Sequence, residues 1–258
     1  MSKTIQSIRA LKGKRAIVAT TAYDAIIAKL ADRSGMDILL VGDSVGTTQL
    51  GFQSTVEVTL EMMLHHTAAV VRANTEALVV ADLPFAYSHD AYEHLFSACR
   101  QLIQAGAAAV KIEGGQSIVS SVERLTASGI PVMGHIGLLP QQIKNLGHYR
   151  RFGKTEAEAK ELMADAKALE AAGCFAMIGE MVNPEVSRSI AEQLEIPYIG
   201  IGSGSDCDGQ ILVANDLLGF SVESVPSFVH QFGNLSEQAS QAFEAYVHAV
   251  KEGDYPNE

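Results

Sequence analysis

Residues 37–46 read DILLVGDSVG, a run of apolar residues that ends abruptly in Gly42, Asp43 and Ser44. The run does not alternate polar with apolar side chains, which is typical of a parallel β-strand covered on both faces. A carboxylate and a hydroxyl at the end of such a strand are costly to bury unless they have partners. Other apolar runs of the chain also end in polar side chains. This repeated pattern indicates how the strands are arranged and where a functional site lies.

Six other runs share this apolar character and are rich in Val, Ile and Ala. They are RAIVATTAY (15–23), ALVVADLPF (77–85), AAVKIEGG (108–115), IPVMGHIG (130–137), FAMIGEM (175–181) and IPYIGIGSG (196–204). Segments with a helical pattern separate the runs, and the clearest covers residues 155–173. There, Thr155 and Glu158 predict a capping box. Gly173 predicts the C-terminal end of the helix.

The alternation of strands and helices predicts a parallel sheet. A weaker eighth strand is predicted within residues 210–216, and 258 residues is close to the length of about 250 that is usual for a closed (βα)8 barrel. We therefore predict an α/β fold, a (βα)8 TIM-type barrel that forms a single domain over residues 1–258. An N-terminal helix and a C-terminal helical extension complete it. An open doubly wound sheet is the alternative.

The composition favours a soluble cytoplasmic protein. Hydrophobic residues make up 47% of the chain, yet no run approaches the roughly 18 apolar residues of a membrane span. A net charge of −11 repels phosphate backbones, so we expect no nucleic-acid partner. Cys99, Cys174 and Cys207 are widely spaced and odd in number, which predicts reduced thiols and neither disulfides nor a CxxC metal site.

The two ends of the chain have helical patterns. Residues 1–15 lack the apolar segment of a secretory signal and place Ile5, Ile8 and Leu11 on one face, which predicts a first amphipathic helix. A transit peptide is the alternative. Residues 236–250 predict a final amphipathic helix, followed by a loose tail.

Polar side chains gather at the predicted C-terminal ends of the strands, which meet at the catalytic face of a barrel. Asp43, Asp82 and Glu113 form an all-oxygen trio that favours Mg²⁺, with Mn²⁺ or Co²⁺ as substitutes. Such a cation keeps open positions that a bidentate 2-oxo acid can occupy. The alternative is that the three acids cap helices or pair with Lys and Arg.

Three further strand-end residues are candidates for chemistry. Lys111 and Glu113 are two positions apart, so both point into the lumen; Lys111 is suited to bind a substrate carboxylate, or alternatively pairs with Glu113. Glu180 has apolar neighbours, and desolvation would raise its pKa toward that of a general base, unless it caps a helix or pairs with Lys. His135 is suited to donate to a substrate oxygen, although a lone histidine on an apolar strand is more often a core residue.

Segments spread in order along nearly the whole chain resemble the ketopantoate hydroxymethyltransferase (3-methyl-2-oxobutanoate hydroxymethyltransferase) family. They are TAYD (21–24), LLVGDSVG (39–46), HHTAAVVR (65–72), ADLPFAY (81–87), AGAAAVKIEGG (105–115), IPVMGHIGLLPQ (130–141), ALEAAG (168–173), IPYIGIGSG (196–204), DGQILVANDLLG (208–219) and GDYP (253–256). No single segment is decisive, but the ordered set is highly specific.

The resemblance implies a (βα)8 barrel that forms a cytoplasmic homodecamer and acts in pantothenate and coenzyme A biosynthesis. The family reaction moves a hydroxymethyl group from the co-substrate 5,10-methylenetetrahydrofolate to 3-methyl-2-oxobutanoate and gives 2-dehydropantoate. The resemblance also implies one Mg²⁺ per subunit on Asp43, Asp82 and Glu113, with Glu180 as the proton acceptor. The residues that match substrate-binding positions are Asp43, Ser44, Asp82, Lys111 and His135.

The chain departs from the family's usual pattern without losing a proposed metal ligand or the base. The departures are Phe52, Met181, Ser203, Asn215 and the segment LGHYRRFG (146–153). They leave a divergent paralogue as one alternative. Barrels of the phosphoenolpyruvate mutase and isocitrate lyase group are another, although the chain has no KKCGH-like loop. A barrel with only a structural role is the third, and the retention of all the strand-end acids together argues against it.

Overall fold

Eight parallel strands close into a barrel in the computed structural model, which describes residues 2–221 and 225–256. The strands are β1 (Ile17–Thr21), β2 (Ile38–Val41), β3 (Leu78–Asp82), β4 (Ala109–Glu113), β5 (Val132–Gly137), β6 (Ala176–Glu180), β7 (Tyr198–Ile201) and β8 (Gly209–Leu212). Each strand pairs with the next in chain order, and the Ile17 N–H donates to the Asp208 carbonyl at 2.9 Å where β8 meets β1. The predicted barrel is confirmed, and the open sheet is excluded.

The strands are shorter than the runs that predicted them. β2 ends at Val41, so Asp43 and Ser44 lie in the following turn, where the Val45 N–H already bonds to the Gly42 carbonyl. The weak eighth strand exists but ends at Leu212, because the backbone then turns into a helix.

The α-helices of the described ranges are α1 (Ile5–Arg9), α2 (Ala25–Arg33), α3 (Val45–Thr48), α4 (Leu60–Val71), α5 (Tyr92–Gln104), α6 (Val119–Ala127), α7 (Ile143–Leu146), α8 (Glu156–Ala171), α9 (Pro184–Gln193), α10 (Ala214–Leu218) and α11 (Leu235–Glu252). In α8, Thr155 accepts from the Glu158 N–H at 3.2 Å, as the capping-box prediction requires. The Glu158 carboxylate does not return the bond. It pairs with Arg150 at 2.8 Å and accepts from the Lys154 N–H, so the box is half formed.

Strand side chains alternate between two apolar clusters. Leu39, Val79 and Val110 belong to the cluster that the strands share with the surrounding helices. The other cluster fills the barrel interior, and its members include Ile17, Ile38, Leu78, Ala109, Met133, Ile178 and Ile199. Ile8 belongs to this interior cluster, with Ile5 and Leu11 packed against it, so the predicted N-terminal apolar face is confirmed although the helix itself ends at Arg9.

The chain divides into two compact units, one ending at Ile211 and the other beginning at Leu212. The second contains α10 and the predicted C-terminal helix, α11, which is confirmed. The end of the predicted tail, residues 257–258, lies outside the described residues, and the single-domain assignment remains a prediction. Cys99, Cys174 and Cys207 are free thiols, as predicted. Within the described ranges, no helix combines the length and the apolar character needed to cross a bilayer.

Candidate active site

Polar side chains replace the apolar filling at the C-terminal end of the barrel. Asp82 ends β3, Lys111 and Glu113 lie on β4, and His135 lies on β5. The strand register places Asp82 beside Lys111 and Glu113 beside His135. None of these four residues is more than 4% exposed. The fold therefore brings together predicted site residues from three neighbouring strands.

Lys111 is the cation of this buried group. Its Nζ lies 2.8 Å from Asp82 Oδ1 and 3.9 Å from Glu113 Oε1. Burial alone would lower the pKa of Lys111, but the charges of Asp82 and Glu113 outweigh burial and raise it above the usual value. Lys111 is consequently a fixed positive charge at neutral pH. The predicted Lys111–Glu113 pair is present, but the shorter contact is with Asp82.

His135 lies between Lys111 and the carboxylate of Glu180. Lys111 Nζ lies 3.1 Å from His135 Nδ1, and His135 Nε2 lies 3.4 Å from Glu180 Oε2. Burial, with the charge of Lys111, lowers the pKa of His135 well below its usual value, so the imidazole is neutral. A protonated lysine can only donate, so Nδ1 accepts and the proton resides on Nε2. This arrangement directs an N–H donor into the site.

Asp43 and Asp82 lie side by side. The Asp43 backbone N–H donates to Asp82 Oδ2 at 3.2 Å, and the side-chain amide of Gln141 donates to Asp43 Oδ2 at 2.9 Å. Burial, followed by repulsion from Asp82, raises the pKa of Asp43 to about 7. Asp43 therefore exchanges protons near neutral pH.

Gln141 also contacts the third acid of the trio. Its backbone N–H donates to Glu113 Oε2 at 3.1 Å, while its side-chain amide additionally donates to the Leu83 carbonyl at 2.9 Å. One residue of the segment after β5 thus holds carboxylates that arise from β4 and from the turn after β2. Burial raises the pKa of Glu113 well above its usual value, and Asp43 raises it further, against the opposing charge of Lys111.

The chemistry of the predicted trio fits a hard divalent cation. Asp43, Asp82 and Glu113 offer only oxygen donors, and they repel one another in a buried setting that a cation would relieve. As the side chains stand, no three His, Cys, Asp or Glu residues within 2–221 and 225–256 are grouped as a metal site. The ligand assignment therefore remains a prediction.

Glu180 ends β6 with its carboxylate toward the charged group. Burial raises its pKa to about 7, and Lys111 opposes that rise. The Leu138 N–H donates to the Glu180 carbonyl at 2.8 Å. Gly137 is the register partner of Glu180, and a Cβ at Gly137 would collide with the Glu180 carbonyl. The glycine therefore permits the close approach of the two strand ends. The raised pKa of Glu180 agrees with the sequence prediction.

Ser44 lies at the edge of the site and pairs with a residue outside the predicted set. The hydroxyls of Tyr23 and Ser44 are 2.8 Å apart. Burial raises the pKa of Tyr23, so its hydroxyl is protonated at neutral pH. Tyr23 and Gln141 both fall in segments that carry the family resemblance, but a tyrosine after a strand and a glutamine in a loop give no signal of their contacts.

A cavity of about 280 Å³ adjoins Glu113. Apart from Glu113, which ends β4, its walls come from the segments after β3 and β5. They are Phe85, Ala86, Ser88, His89, Glu113, Gln141, Gln142 and Asn145. The mixture of aromatic, amide and imidazole groups is suited to a polar heteroaromatic ligand beside the acidic centre.

The sequence is similar to one family over almost its full length. The model of the family described as "Ketopantoate hydroxymethyltransferase" matches residues 2–258. A 3-methyl-2-oxobutanoate hydroxymethyltransferase of Moorella thermoacetica is 48% identical, with 99% of this chain and 96% of that protein covered. The proteins of the same name from Thermotoga neapolitana and Caldivirga maquilingensis are 46% and 48% identical, with 98% of this chain covered in each case and 94% and 96% of those proteins.

Solved structures with a similar fold have distant sequences. A phosphoenolpyruvate phosphomutase from Streptomyces platensis subsp. rosaceus superimposes with a TM-score of 0.64 at 16% identity, covering 99% of this chain and 92% of that one. A phosphonopyruvate hydrolase in complex with oxalate and Mg²⁺ gives a TM-score of 0.63 at 14% identity, covering 98% and 88%. At these identities the similarity establishes the barrel fold alone.

Proposed function

Because the chain belongs to the ketopantoate hydroxymethyltransferase family and is thus a hydroxymethyltransferase, we propose that it transfers the one-carbon unit of 5,10-methylenetetrahydrofolate to 3-methyl-2-oxobutanoate. A carbon–carbon bond forms between C3 of the oxo acid and the methylene carbon, and the bonds from that carbon to the folate nitrogens break. Water supplies the hydroxyl oxygen. The products are 2-dehydropantoate and tetrahydrofolate, and the reaction belongs to pantothenate biosynthesis, upstream of coenzyme A.

The observation that carries this proposal is the largely buried carboxylate of Glu180, whose side chain is 18% exposed, beside His135 at the C-terminal end of the barrel. The new bond requires removal of the C3 proton, which the adjacent ketone acidifies. A carboxylate with a pKa of about 7 is matched to this task near neutral pH. Glu180 accepts the proton, and the enolate then attacks the one-carbon unit.

The remaining polar groups bind and orient the oxo acid. His135 donates from Nε2 to a substrate oxygen, since the contact of Nδ1 with Lys111 leaves the proton on Nε2. The fixed positive charge of Lys111 offsets the negative charge of the carboxylate and of the enolate. The other substrate-binding residues in this proposal are Asp43, Ser44 and Asp82.

We assign one Mg²⁺ per subunit to Asp43, Asp82 and Glu113. A divalent cation bound there supplies stabilisation of the negative charge that develops on the keto oxygen. Since a protonated carboxyl group binds cations poorly, the raised pKa of Asp43 makes this site sensitive to pH near 7.

The proposed partners are two small molecules, the 2-oxo acid and the folate, and further copies of the same chain. Family membership supports a cytoplasmic homodecamer, and the net charge of −11 argues against binding to nucleic acid. Membrane binding is not part of the proposal. Light scattering on the purified protein tests the decamer directly.

The activity is tested with the complete reaction. Purified protein is mixed with Mg²⁺, 3-methyl-2-oxobutanoate and 5,10-methylenetetrahydrofolate that carries ¹³C in the methylene group. We expect ¹³C in the hydroxymethyl group of 2-dehydropantoate, detected by NMR, and no product when either substrate is omitted. Absence of labelled product from folded protein under these conditions would contradict the proposal.

A further inference from the structure

We propose that Ser203 is a positioning residue for Glu180, because its hydroxyl bridges the backbone on both sides of the catalytic glutamate. The inference rests on the proposed role of Glu180 as the base. It concerns the segment 179–182, in which Glu180 ends β6, and the segment 201–203, in which Ile201 ends β7.

The backbone directly after Glu180 is unusual. Met181 has a φ of +51°, in the left-handed region that residues with a Cβ rarely adopt. Such a conformation persists only where the surroundings hold it in place. The Met181 N–H donates to the Ile201 carbonyl at 2.9 Å, and the Met181 carbonyl accepts from the Phe152 N–H at 2.8 Å. Two backbone hydrogen bonds therefore fix Met181 itself.

Ser203 fixes the residues on either side of the Glu180–Met181 pair. Its hydroxyl oxygen accepts from the Val182 N–H at 3.0 Å, and the hydroxyl donates to the Gly179 carbonyl at 2.7 Å. The Ile201 carbonyl lies 3.1 Å from the same hydroxyl and is a second acceptor. Ser203 is 1% exposed, so water cannot replace these bonds. The hydroxyl thus closes a loop around Glu180 and Met181.

Arg151 makes a second, independent connection between the same two segments. Its Nη1 donates to the Val182 carbonyl at 2.9 Å and to the Gly202 carbonyl at 2.7 Å. Loss of the Ser203 hydroxyl consequently leaves the segments joined, and we expect the protein to fold. What changes is the direction of the Glu180 carboxylate, because the Val182 N–H and the Gly179 carbonyl lose their shared partner.

The test compares Ser203→Ala with Ser203→Thr, which keeps the hydroxyl, and with Ser205→Ala, an exposed serine of the same loop. Displacement of a catalytic group by about 1 Å costs up to about 100-fold in rate. We expect Ser203→Ala to lower kcat for C3 deprotonation by about 10- to 100-fold, with KM for the oxo acid within about twofold of wild type. Ser203→Thr should recover most of kcat, and Ser205→Ala should match wild type.

Hydrogen–deuterium exchange provides a readout that does not depend on activity. We expect the Val182 amide to exchange about tenfold faster in Ser203→Ala, in line with the loss of one hydrogen bond, and Ser203→Thr to restore its protection. Unchanged kcat together with faster exchange at Val182 would overturn the positioning role. Equal losses in all three variants would do the same. Absence of deprotonation in wild type would refute the function of Glu180, while Val182 exchange would still report whether the hydroxyl holds the segment.

Discussion

The Nε2 atom of His135 lies 3.4 Å from Oε2 of Glu180, so a neutral imidazole faces the carboxylate that we assign as the base. The other imidazole nitrogen is held by Lys111. No full countercharge therefore sits on Glu180 at this contact, and burial raises its pKa to about 7. The relationship explains how a carboxylate near the Lys111 cation retains the basicity that proton abstraction needs.

The first prediction concerns stability. The pKa of Glu180 is about 7 in the folded protein against a usual 4.5, so folding takes up a proton between these pH values. The resulting stabilisation is complete below pH 4.5 and is lost as the pH rises through 7. Glu180→Gln removes the buried charge and should raise the free energy of unfolding at pH 8 by on the order of 3 kcal/mol, with little effect at pH 4.5.

Urea unfolding at the two pH values measures this difference, and Glu185→Gln, an exposed glutamate of α9, is the control. A loss of stability in Glu180→Gln at pH 8 would contradict the account, because it would mean that the charged carboxylate is well stabilised in the fold.

The second prediction concerns the pH dependence of proton abstraction. The base must be ionised, so the rate should fall about tenfold per pH unit below the pKa of Glu180, which is about 7 without the cation. At saturating Mg²⁺ the midpoint should lie between 7 and the usual 4.5, because the positive charge of the cation favours the ionised carboxylate. At low Mg²⁺ the fall should become steeper, because protonation of Asp43 then competes with the cation. Deuterium incorporation from pH 5 to 9 measures both slopes, and a midpoint near 4.5 at saturating Mg²⁺ would rule out a desolvated Glu180 as base.

The third prediction concerns Gln141, which holds Asp43 through its side chain and Glu113 through its backbone N–H. Gln141→Ala removes the side-chain bonds to Asp43 and to the Leu83 carbonyl and keeps the backbone bond to Glu113. Since groups that orient metal ligands typically contribute 10- to 100-fold to affinity, we expect Mg²⁺ binding weaker by about that factor. Isothermal titration calorimetry measures it, with Gln142→Ala, an exposed neighbour, as control. Equal affinities in wild type and both variants would show that Gln141 does not organise the site.

The fourth prediction concerns Lys111, whose charge lies between Asp82 and Glu113. Lys111→Met leaves these buried carboxylates without their cation, which should cost about 3 to 5 kcal/mol of stability at pH 8. The loss should shrink toward pH 5, because Glu113, whose pKa burial raises, takes up a proton as the pH falls. Unfolding measured at both pH values tests this, and a loss that does not depend on pH would assign Lys111 a packing role instead.

The sequence predicts the barrel because its strands are buried on both faces and read as continuous apolar runs. It also predicts the inward polar set, since Asp82, Lys111, Glu113 and His135 interrupt those runs near their ends. The alternation of side chains along a strand makes their common direction a geometric necessity. Site residues that lie on a strand can therefore be predicted from the sequence, because a polar residue within an apolar run is easily seen.

The rest depends on loops, where sequence spacing does not fix distance. Gln141 reaches Asp43 across 98 positions of the chain, and nothing in its apolar and proline neighbours marks this contact. Tyr23 pairs with Ser44 through a turn that the sequence does not specify. In the sequence, Ser203 is one more small residue in a glycine-rich stretch. Its role becomes visible only in the structure, where the Ser203 hydroxyl holds the backbone beside Met181, which has a left-handed conformation.

The central claim is that Glu180 removes the C3 proton of the oxo acid, and proton exchange without folate tests it most directly. The protein is incubated with 3-methyl-2-oxobutanoate and Mg²⁺ in D₂O, and the C3 proton is followed by NMR for wild type, Glu180→Gln and Glu185→Gln. We predict exchange in wild type and in Glu185→Gln that is lost on addition of EDTA, and no exchange in Glu180→Gln. Exchange at the wild-type rate in Glu180→Gln would contradict the account.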